Sequence, residues 1–322
     1  MNGLQVTGLV AGRGVPRSVK GMRSFILLVM VFAGCESVAC WDVDGNVTAG
    51  VCECPSGDAS ADALAAVNTA RGASGLSPVV RLAELDAAAQ GHIAYLRANN
   101  PDDAGVSSHG QSAGNAGFTG ETHFERAVAA DWSGARLYED ISRAGVPEQA
   151  VFGWLRTVYH RVPILTPEVD GMGYAQTCSD GVRFDVALFA ESGSATSADV
   201  MVWPADGDTF VPGRWDGLER PDPVPDIQAD LGYPVSVQFR REVGGNVQGF
   251  RLFNAEGEEV PTRFIDAASD PSDSLDDEVF AVPLAPLEPE RTYRVQVTGS
   301  LRGAPFTREW VFGTRTDSQT PQ

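Results

Sequence analysis

The segment WLRTVYHRVPIL at residues 154–165 decides how this chain folds. Apolar residues recur at helical spacing before it and in its first half, as at Trp154 and Val158, and Pro147 is suited to the first turn of a helix. The pattern therefore predicts a helix that begins at Pro147. We expect Pro163 to stop any continuation of this helix, because the proline ring clashes with the preceding turn.

Elements on both sides of this segment define the fold class. Residues 171–177 and 183–190 are rich in Tyr, Val and Phe, with a Ser-Asp-Gly turn between them, and predict two strands. Two helices are predicted upstream, with apolar stripes on Leu64, Val67, Ala70, Leu85, Ala89, Ile93 and Leu96. The capping box from Thr122 to Glu125 predicts a third helix that ends near Asp131. Helices followed by strands, without regular alternation, indicate an α+β sandwich.

A different pattern begins after residues 191–198, which have the composition of a linker. Short β-type runs then alternate with Pro, Gly and Asp, at residues 200–203, 235–240, 250–253, 279–284, 293–297 and 310–313. Such spacing predicts an all-β sandwich of immunoglobulin-like type over residues 199–316, followed by a tail at 317–322. The sequence before Tyr293 resembles the corner of bacterial immunoglobulin-like modules, in which a Tyr caps the turn into a late strand.

The first 34 residues have the layout of a secretory signal peptide. An uncharged apolar run at 25–33 follows four basic residues, and this part of the chain contains no acidic residue. The run is too short to span a bilayer as a helix. The sequence Phe32-Ala-Gly-Cys35 resembles the bacterial lipobox, which implies that Cys35 is lipidated and holds an extracytoplasmic lipoprotein at the membrane of the cell envelope. The alternative is an ordinary cleaved signal peptide with Cys35 as a structural cysteine.

The cysteine count agrees with lipidation. Removing Cys35 from the five cysteines leaves an even set, which consists of Cys40, Cys52, Cys54 and Cys178. Four cysteines in an exported chain predict two disulfides. A bond between Cys52 and Cys54 would close a strained ring, so we expect one of the three N-terminal cysteines to pair with Cys178. Residues 35–60 then form a lipidated tether that is stapled to the next domain, and the oxidised thiols exclude a cysteine protease.

The charge of the chain excludes one class of partner. The formal net charge is -19, and the mature chain is more acidic still because the signal peptide carries only basic residues. A protein this acidic repels phosphate backbones, so nucleic acid is not expected as a partner.

Several short motifs follow one another between residues 61 and 190. They are Asn68-Thr-Ala-Arg71 with Gly75-Leu76, AQGHIAYL at 89–96, Ser108-His109, Tyr138-Glu-Asp-Ile141, the 154–165 segment and Gly171-Met-Gly-Tyr174. In this order they resemble the CAP superfamily, also called the SCP or cysteine-rich secretory, antigen 5 and pathogenesis-related-1 family. Residues 138–141 stand where the family usually has Gly-Glu-Asn-Ile. The resemblance implies an α-β-α sandwich over residues 61–190.

The resemblance also implies a cavity lined by two His and up to two Glu. These positions carry over as His109, Glu139 and His160, whereas the second Glu of animal members falls on Thr157. Two imidazoles and one carboxylate could hold zinc or another divalent metal and leave a position open for water. The same side chains could instead form a buried hydrogen-bonded cluster, or act in general acid–base catalysis.

Three further features are assigned structural roles. His92 lies beside an apolar helical stripe and is expected to be a hydrogen-bonded core histidine. His123 directly follows a helix cap and is expected to be exposed. The acidic segment at 270–278 lacks the spacing of an EF-hand loop, so we interpret it as a solvated loop rather than a calcium site.

Two functional hypotheses follow. The first is a binding protein rather than an enzyme: a membrane-anchored CAP-domain lipoprotein whose groove takes an apolar molecule such as a lipid, a peptide or a divalent metal, or which binds a protein partner. The second is a metal-assisted hydrolase of extracellular peptide or envelope polymer that acts through His109, Glu139 and His160.

Overall fold

The computed structural model describes residues 57–99, 108–179, 182–191, 198–215 and 219–316, together with the backbone of two short paired strands, β1 (Cys40–Trp41) and β2 (Val47–Thr48). These residues belong to one compact unit, Glu36–Gln322. The predicted signal peptide, Cys35 and the side chains of Cys40, Cys52 and Cys54 lie outside what the structure describes. Among the helices of the described ranges, none combines the length and the apolar composition that a membrane span requires.

The helices of the N-terminal half are α1 (Ala59–Ala73), α2 (Ala83–Asn99), α3 (His123–Ala129), α4 (Pro147–Leu155) and α5 (Arg161–Leu165). Helix α3 begins with the predicted capping box, in which Thr122 and Glu125 each accept the backbone N–H of the other. Helix α4 begins at Pro147, as predicted. The expectation for Pro163 is wrong, because this residue lies in the first turn of α5, where its missing N–H has no partner within the helix to lose.

One four-stranded sheet lies between these helices. Its strands are β3 (Val80–Arg81), β4 (Arg136–Ser142), β5 (Val169–Ser179) and β6 (Val182–Glu191), in the order β3-β5-β6-β4. Both faces are buried: Ala187 and Phe189 of β6 pack with α1 and α4, whereas Val186 and Leu188 pack with α2. The predicted α-β-α layering is therefore confirmed, and β4 forms one edge of the sheet.

Cys178 lies near the end of β5. It is in the disulfide-bonded form. The predicted pairing with one of the N-terminal cysteines stays a prediction.

A glycine in the Gly171-Met-Gly-Tyr174 motif sets the distance between α2 and β5. A Cβ atom on Gly173 would overlap the backbone of Leu85 and Asp86 at the start of α2. The Asp86 carboxylate in turn accepts the backbone N–H of Tyr174 at 2.8 Å. The absence of a side chain at 173 thus lets α2 lie directly on the sheet.

The C-terminal half is rich in β-strands. Its elements are β7 (Val200–Trp203), β8 (Arg214–Trp215), β9 (Leu231–Gly232), β10 (Val235–Phe239), a 3₁₀ turn (Arg241–Val243), β11 (Gly245–Phe253), β12 (Glu259–Val260), β13 (Thr262–Ile265), β14 (Glu278–Pro283), β15 (Thr292–Leu301) and β16 (Ala304–Gly313). Each β-type run identified in the sequence overlaps one of these strands, whereas β8, β9, β12 and β13 were not predicted.

Two of the C-terminal sheets face each other across a common core. Their strand orders are β13-β14-β10-β7 and β12-β11-β15-β16, and their shared core includes Val237, Leu252 and Trp310. The hydroxyl of Tyr293 accepts the backbone N–H of Glu288 at 2.8 Å, which agrees with the expected corner. The finer immunoglobulin-like assignment stays a prediction.

The two halves of the chain pack directly against each other. Arg161 of α5 is fully buried, donates a hydrogen bond of 2.7 Å to the carbonyl of Pro234 and lies over the ring of Tyr233. Val158 and Trp215 belong to one apolar cluster that draws residues from both halves. The halves therefore share a core, and residues 192–197 of the predicted linker lie outside the described ranges. The individual domain boundaries stay predictions.

Candidate functional site

The structure brings the predicted site residues together at the β4 edge of the N-terminal sheet. His109 lies between α2 and α3, Glu139 lies on β4, and His160 directly precedes α5. The rings of His109 and His160 have centroids 6.5 Å apart and planes 27° apart. Segments that are distant in the chain thus converge on a pair of imidazoles.

Glu139 is an ionised, buried partner of two side chains. Its Oε1 atom lies 3.1 Å from Nδ1 of His109, and its Oε2 atom accepts a hydrogen bond of 2.5 Å from Arg126. Burial by itself would raise the pKa of Glu139, but the hydrogen bond from His109 and the positive charge of Arg126 outweigh it and hold the pKa below its usual value. The Arg126 and Glu139 side chains are each only 1% exposed, so this ion pair is inside the protein.

A second carboxylate, which sequence analysis missed, holds His160. Glu219 lies 59 residues further along the chain, between β8 and β9, and its Oε1 atom lies 2.9 Å from Nδ1 of His160. It also accepts the backbone N–H groups of Val158, Tyr159 and His160, at 2.7, 2.7 and 3.0 Å. No periodicity or motif distinguishes Glu219 from the other acidic residues of its loop, so only the fold could reveal this contact.

Both imidazoles are oriented by the same kind of contact. A carboxylate accepts hydrogen bonds and does not donate them, so the Nδ1 atom of each ring carries the hydrogen. The bond fixes the plane of each ring and points its Nε2 atom away from the glutamate. The side chains of His109 and His160 are 42% and 17% exposed, against 1% and 0% for Glu139 and Glu219. The site therefore presents two partly exposed imidazoles, each held by a buried glutamate.

Asp140 is a buried acid next to this site. It is 2% exposed, and its Oδ2 atom has no hydrogen-bond partner among the residues that the structure describes. Burial, together with the negative charges of Glu219 and Glu139, raises the pKa of Asp140 well above its usual value. The Asp140 carboxyl group therefore keeps its proton to a higher pH than an ordinary aspartate does.

The side chains at the site are not arranged as a three-ligand metal centre. Both oxygens of Glu139 are already engaged, and within the described ranges no group of three His, Cys, Asp or Glu could hold a metal ion. Thr157, at the position of the second family glutamate, donates its hydroxyl to the Trp154 carbonyl. In this arrangement Glu139 serves His109 and Arg126 rather than a metal, and the zinc hypothesis stays a prediction for experiment.

The other histidines have structural partners. His92 is fully buried, donates from Nε2 to the Ser108 carbonyl at 2.8 Å and accepts at Nδ1 from Gln111 at 2.9 Å. Burial lowers the pKa of His92 to about 4, so the ring stays neutral and holds the loop in place, in agreement with the expected core role. His123 is half-buried rather than exposed, because its Nε2 atom donates to the Leu137 carbonyl at 3.0 Å.

The acidic segment at 270–278 forms a turn that is held by hydrogen bonds within the segment. The Asp270 carboxylate accepts the backbone N–H groups of Ser274 and Leu275 at 2.6 and 3.1 Å, and the hydroxyl of Tyr159 at 2.5 Å. These contacts use the carboxylate for a turn and for packing against the N-terminal half, which is consistent with a loop.

An open groove of about 860 Å³ lies elsewhere on the N-terminal half, between the start of α2 and the connection from α3 to β4. Its lining includes Leu82, Trp132 and Glu191, but neither of the paired histidines.

Comparison with known proteins supports the fold of the N-terminal half. Residues 64–190 match the family model described as CAP, the cysteine-rich secretory protein family. No curated protein matches the sequence. Among solved structures, an outer surface protein from Borrelia burgdorferi is 17% identical, with a TM-score of 0.32, over 40% of this chain and 89% of that one. An extracellular protein with an SCP domain from Bacillus anthracis is 18% identical, with a TM-score of 0.32, over 41% of this chain and 40% of that one. The part of this chain that carries both site histidines is thus a CAP domain.

Proposed function

We propose that this protein is exported, is anchored at the cell envelope through a lipid on Cys35, and binds a ligand at the paired imidazoles of its CAP domain. The observation that carries the proposal is the pair of partly exposed rings of His109 and His160, each held by a buried glutamate. Side chains that are already fixed lose little conformational entropy when a ligand binds, so the pair is preorganised for recognition.

The N-terminal sequence supports the cellular location. A basic and apolar leader precedes Cys35, and acyl chains on that residue would give stable membrane attachment if more than one chain is added. The acidic mature chain and its cysteines suit an oxidising extracytoplasmic compartment. The proposed immunoglobulin-like half then serves as a spacer or a contact surface beside the CAP domain.

The carboxylate–imidazole pairs favour a second candidate, a metal-assisted hydrolase. Metal-binding histidines commonly donate their other ring hydrogen to a carboxylate, as His109 and His160 do to Glu139 and Glu219. Binding of a ligand without a metal agrees better with the described geometry, since a hydrolase would need a third ligand and Glu139 is engaged by Arg126.

The histidine content of the chain allows a direct test. The chain has four histidines, so NMR signals of the ¹⁵N-labelled rings report the two site residues and, as internal controls, His92 and His123. The full chain is titrated separately with zinc chloride, a short synthetic peptide and palmitate, one probe for each expected class of ligand. We expect one probe to shift the His109 and His160 signals and to leave the His92 and His123 signals in place.

The same titration with the His160→Gln variant should remove the response. If none of the three probes, even in large excess, shifts the His109 and His160 signals of the wild-type protein, ligand binding at this site is contradicted. A response to zinc that is accompanied by peptide cleavage, and that is lost in His160→Gln, would favour the hydrolase.

A further inference from the structure

We infer that Glu219 is a positioning residue of the CAP site, through which the β-rich half fixes the ring of His160. The inference concerns the orientation and the tautomer of the His160 ring. Its importance for function rests on the proposed role of His160 in ligand binding. Neither the family position at Thr157 nor any motif in the sequence assigns this role to Glu219.

The two imidazoles of the site are held in equivalent ways from different parts of the chain. Nδ1 of His109 lies 3.1 Å from Glu139, which belongs to the CAP domain itself. Nδ1 of His160 lies 2.9 Å from Glu219, which lies beyond the CAP domain. At the CAP-domain position where a second glutamate would stand, Thr157 donates its hydroxyl to the Trp154 carbonyl near the end of α4. The β-rich half thus supplies the carboxylate that the CAP domain lacks.

Packing holds Glu219 in place. The strands before and after its loop contribute Trp215 and Leu231 to an apolar cluster that also contains Val158 and Val162, on either side of His160. The Glu219 side chain is 0% exposed, and its oxygens accept three backbone N–H groups in addition to the imidazole hydrogen. A fully buried carboxylate with this many donors is fixed in one orientation and can transmit that orientation to the ring.

The burial of Glu219 also separates its role from that of a ligand-contacting residue. Its side chain is enclosed, whereas the ring of His160 is 17% exposed. Glu219 therefore acts through His160: it selects the form of the ring with hydrogen on Nδ1, and this form keeps the lone pair on Nε2 for a hydrogen-bond donor or a cation.

The tautomer of His160 tests the inference without any ligand. Two-bond ¹H–¹⁵N spectra of the full chain show which ring nitrogen carries the hydrogen. We expect the wild-type ring of His160 to carry it on Nδ1. In the Glu219→Gln variant the charge-assisted bond is lost, so the His160 signals should shift towards the Nε2–H form that free histidine favours.

Two controls accompany the variant. The ring of His109, held by Glu139, should keep its signals in Glu219→Gln. The Glu278→Gln variant changes another buried glutamate of the β-rich half, which bonds Asp276 and Gln238 rather than a histidine, and should leave the His160 signals unchanged.

Two results would overturn the inference. One is a wild-type spectrum in which His160 carries its hydrogen on Nε2, and this measurement stands even if Glu219→Gln does not fold. The other is a folded Glu219→Gln protein with a lower Tm and an unchanged His160 tautomer, which would limit Glu219 to holding the backbone at 158–160. Because no ligand is present, failure of the proposed binding function would leave either measurement intact.

Discussion

Buried charges at the site differ in how they are compensated, residue by residue. Glu139 has Arg126 and His109 as partners, and Glu219 has a ring hydrogen and backbone N–H groups. Asp140 lies beside both glutamates with one oxygen unpaired among the described residues. Burial of a carboxyl group with an unpaired oxygen disfavours its ionised form, so the stability of the folded protein falls as the pH rises towards the raised pKa of Asp140.

The Asp140→Asn variant should therefore become more stable relative to wild type as the pH rises. The pKa of Asp140 is raised in the folded state, so its contribution is most favourable below the unfolded pKa near 3.8 and is lost as the pH rises towards the folded pKa. Asparagine has no such cost, and it restores the residue that the family motif usually has. We expect the free energy of unfolding of Asp140→Asn, relative to wild type, to grow by up to about 1.4 kcal/mol per pH unit above pH 4.

Urea unfolding at several pH values measures this difference. The exposed Glu256→Gln variant is the control and should show no comparable pH dependence relative to wild type. An Asp140→Asn protein whose stability runs parallel to that of wild type from pH 4 to pH 7 would contradict the prediction, since Asp140 would then ionise equally in both states.

The motifs locate His109, His160 and Glu139, but they assign no role to Glu219 or Asp140. His109, Glu139 and His160 stand at motif positions, so the family resemblance identified them and the structure brings them together. Glu219 is one acidic residue of a loop, and its contact exists only because the C-terminal half packs on α5. Asp140 was visible as a departure from the motif, but its burial and its unpaired oxygen depend on the fold.

At the scale of elements, helices α1 to α4 and six strands of the β-rich half were predicted from local patterns, whereas β4, α5 and the two-residue strands were not. The caps at Thr122 and Pro147 act within one helical turn, so sequence alone places the starts of α3 and α4. The pairs β8–β9 and β11–β12 are only two residues deep and have no period to detect. Pro163 was misread because a proline ends a continuing helix but is tolerated in the first turn of a new one.

The contact between α2 and β5 gives a prediction at the same scale. Gly173→Ala should lower the free energy of unfolding by about 1–3 kcal/mol, because the added methyl group meets the backbone of α2 and cannot be relieved by a side-chain rotation. Gly153→Ala, in α4, meets nothing within 4 Å and should instead raise it by about 0.5–1 kcal/mol.

Chemical denaturation of the two alanine variants beside wild type provides the comparison. A Gly173→Ala protein that is as stable as wild type, or more stable, would mean that α2 moves away from the sheet at no cost, and the proposed role of Gly173 in setting the spacing would be lost.

At the scale of the whole molecule, the two halves behave as one body. Apolar clusters and the buried Arg161 cross from the helical half to the β-rich half, and the two halves belong to one compact unit. The sequence indicated two patterns of secondary structure but not this contact, because composition and periodicity describe each segment separately. The β-rich half is therefore part of the environment of the CAP site.

Attachment to the membrane is also a property of the whole molecule. Cys35→Ala removes the proposed site of lipidation, so the protein should move from the membrane fraction to the soluble fraction when cells are lysed and centrifuged. Ser37→Ala, two residues away, should remain in the membrane fraction. Retention of Cys35→Ala with the membranes would rule out the lipid anchor as the means of attachment.

The position of Glu219 in the chain also determines when the site is completed during synthesis. Ribosomes add residues in order, so His160 exists before the glutamate 59 residues later has been made. During that interval the nascent CAP domain has both imidazoles but only one of the carboxylates that hold them. The site can reach its final form only after Glu219 has been made and the β-rich half has packed against α5, and a protein truncated after residue 190 would lack one of these two carboxylates.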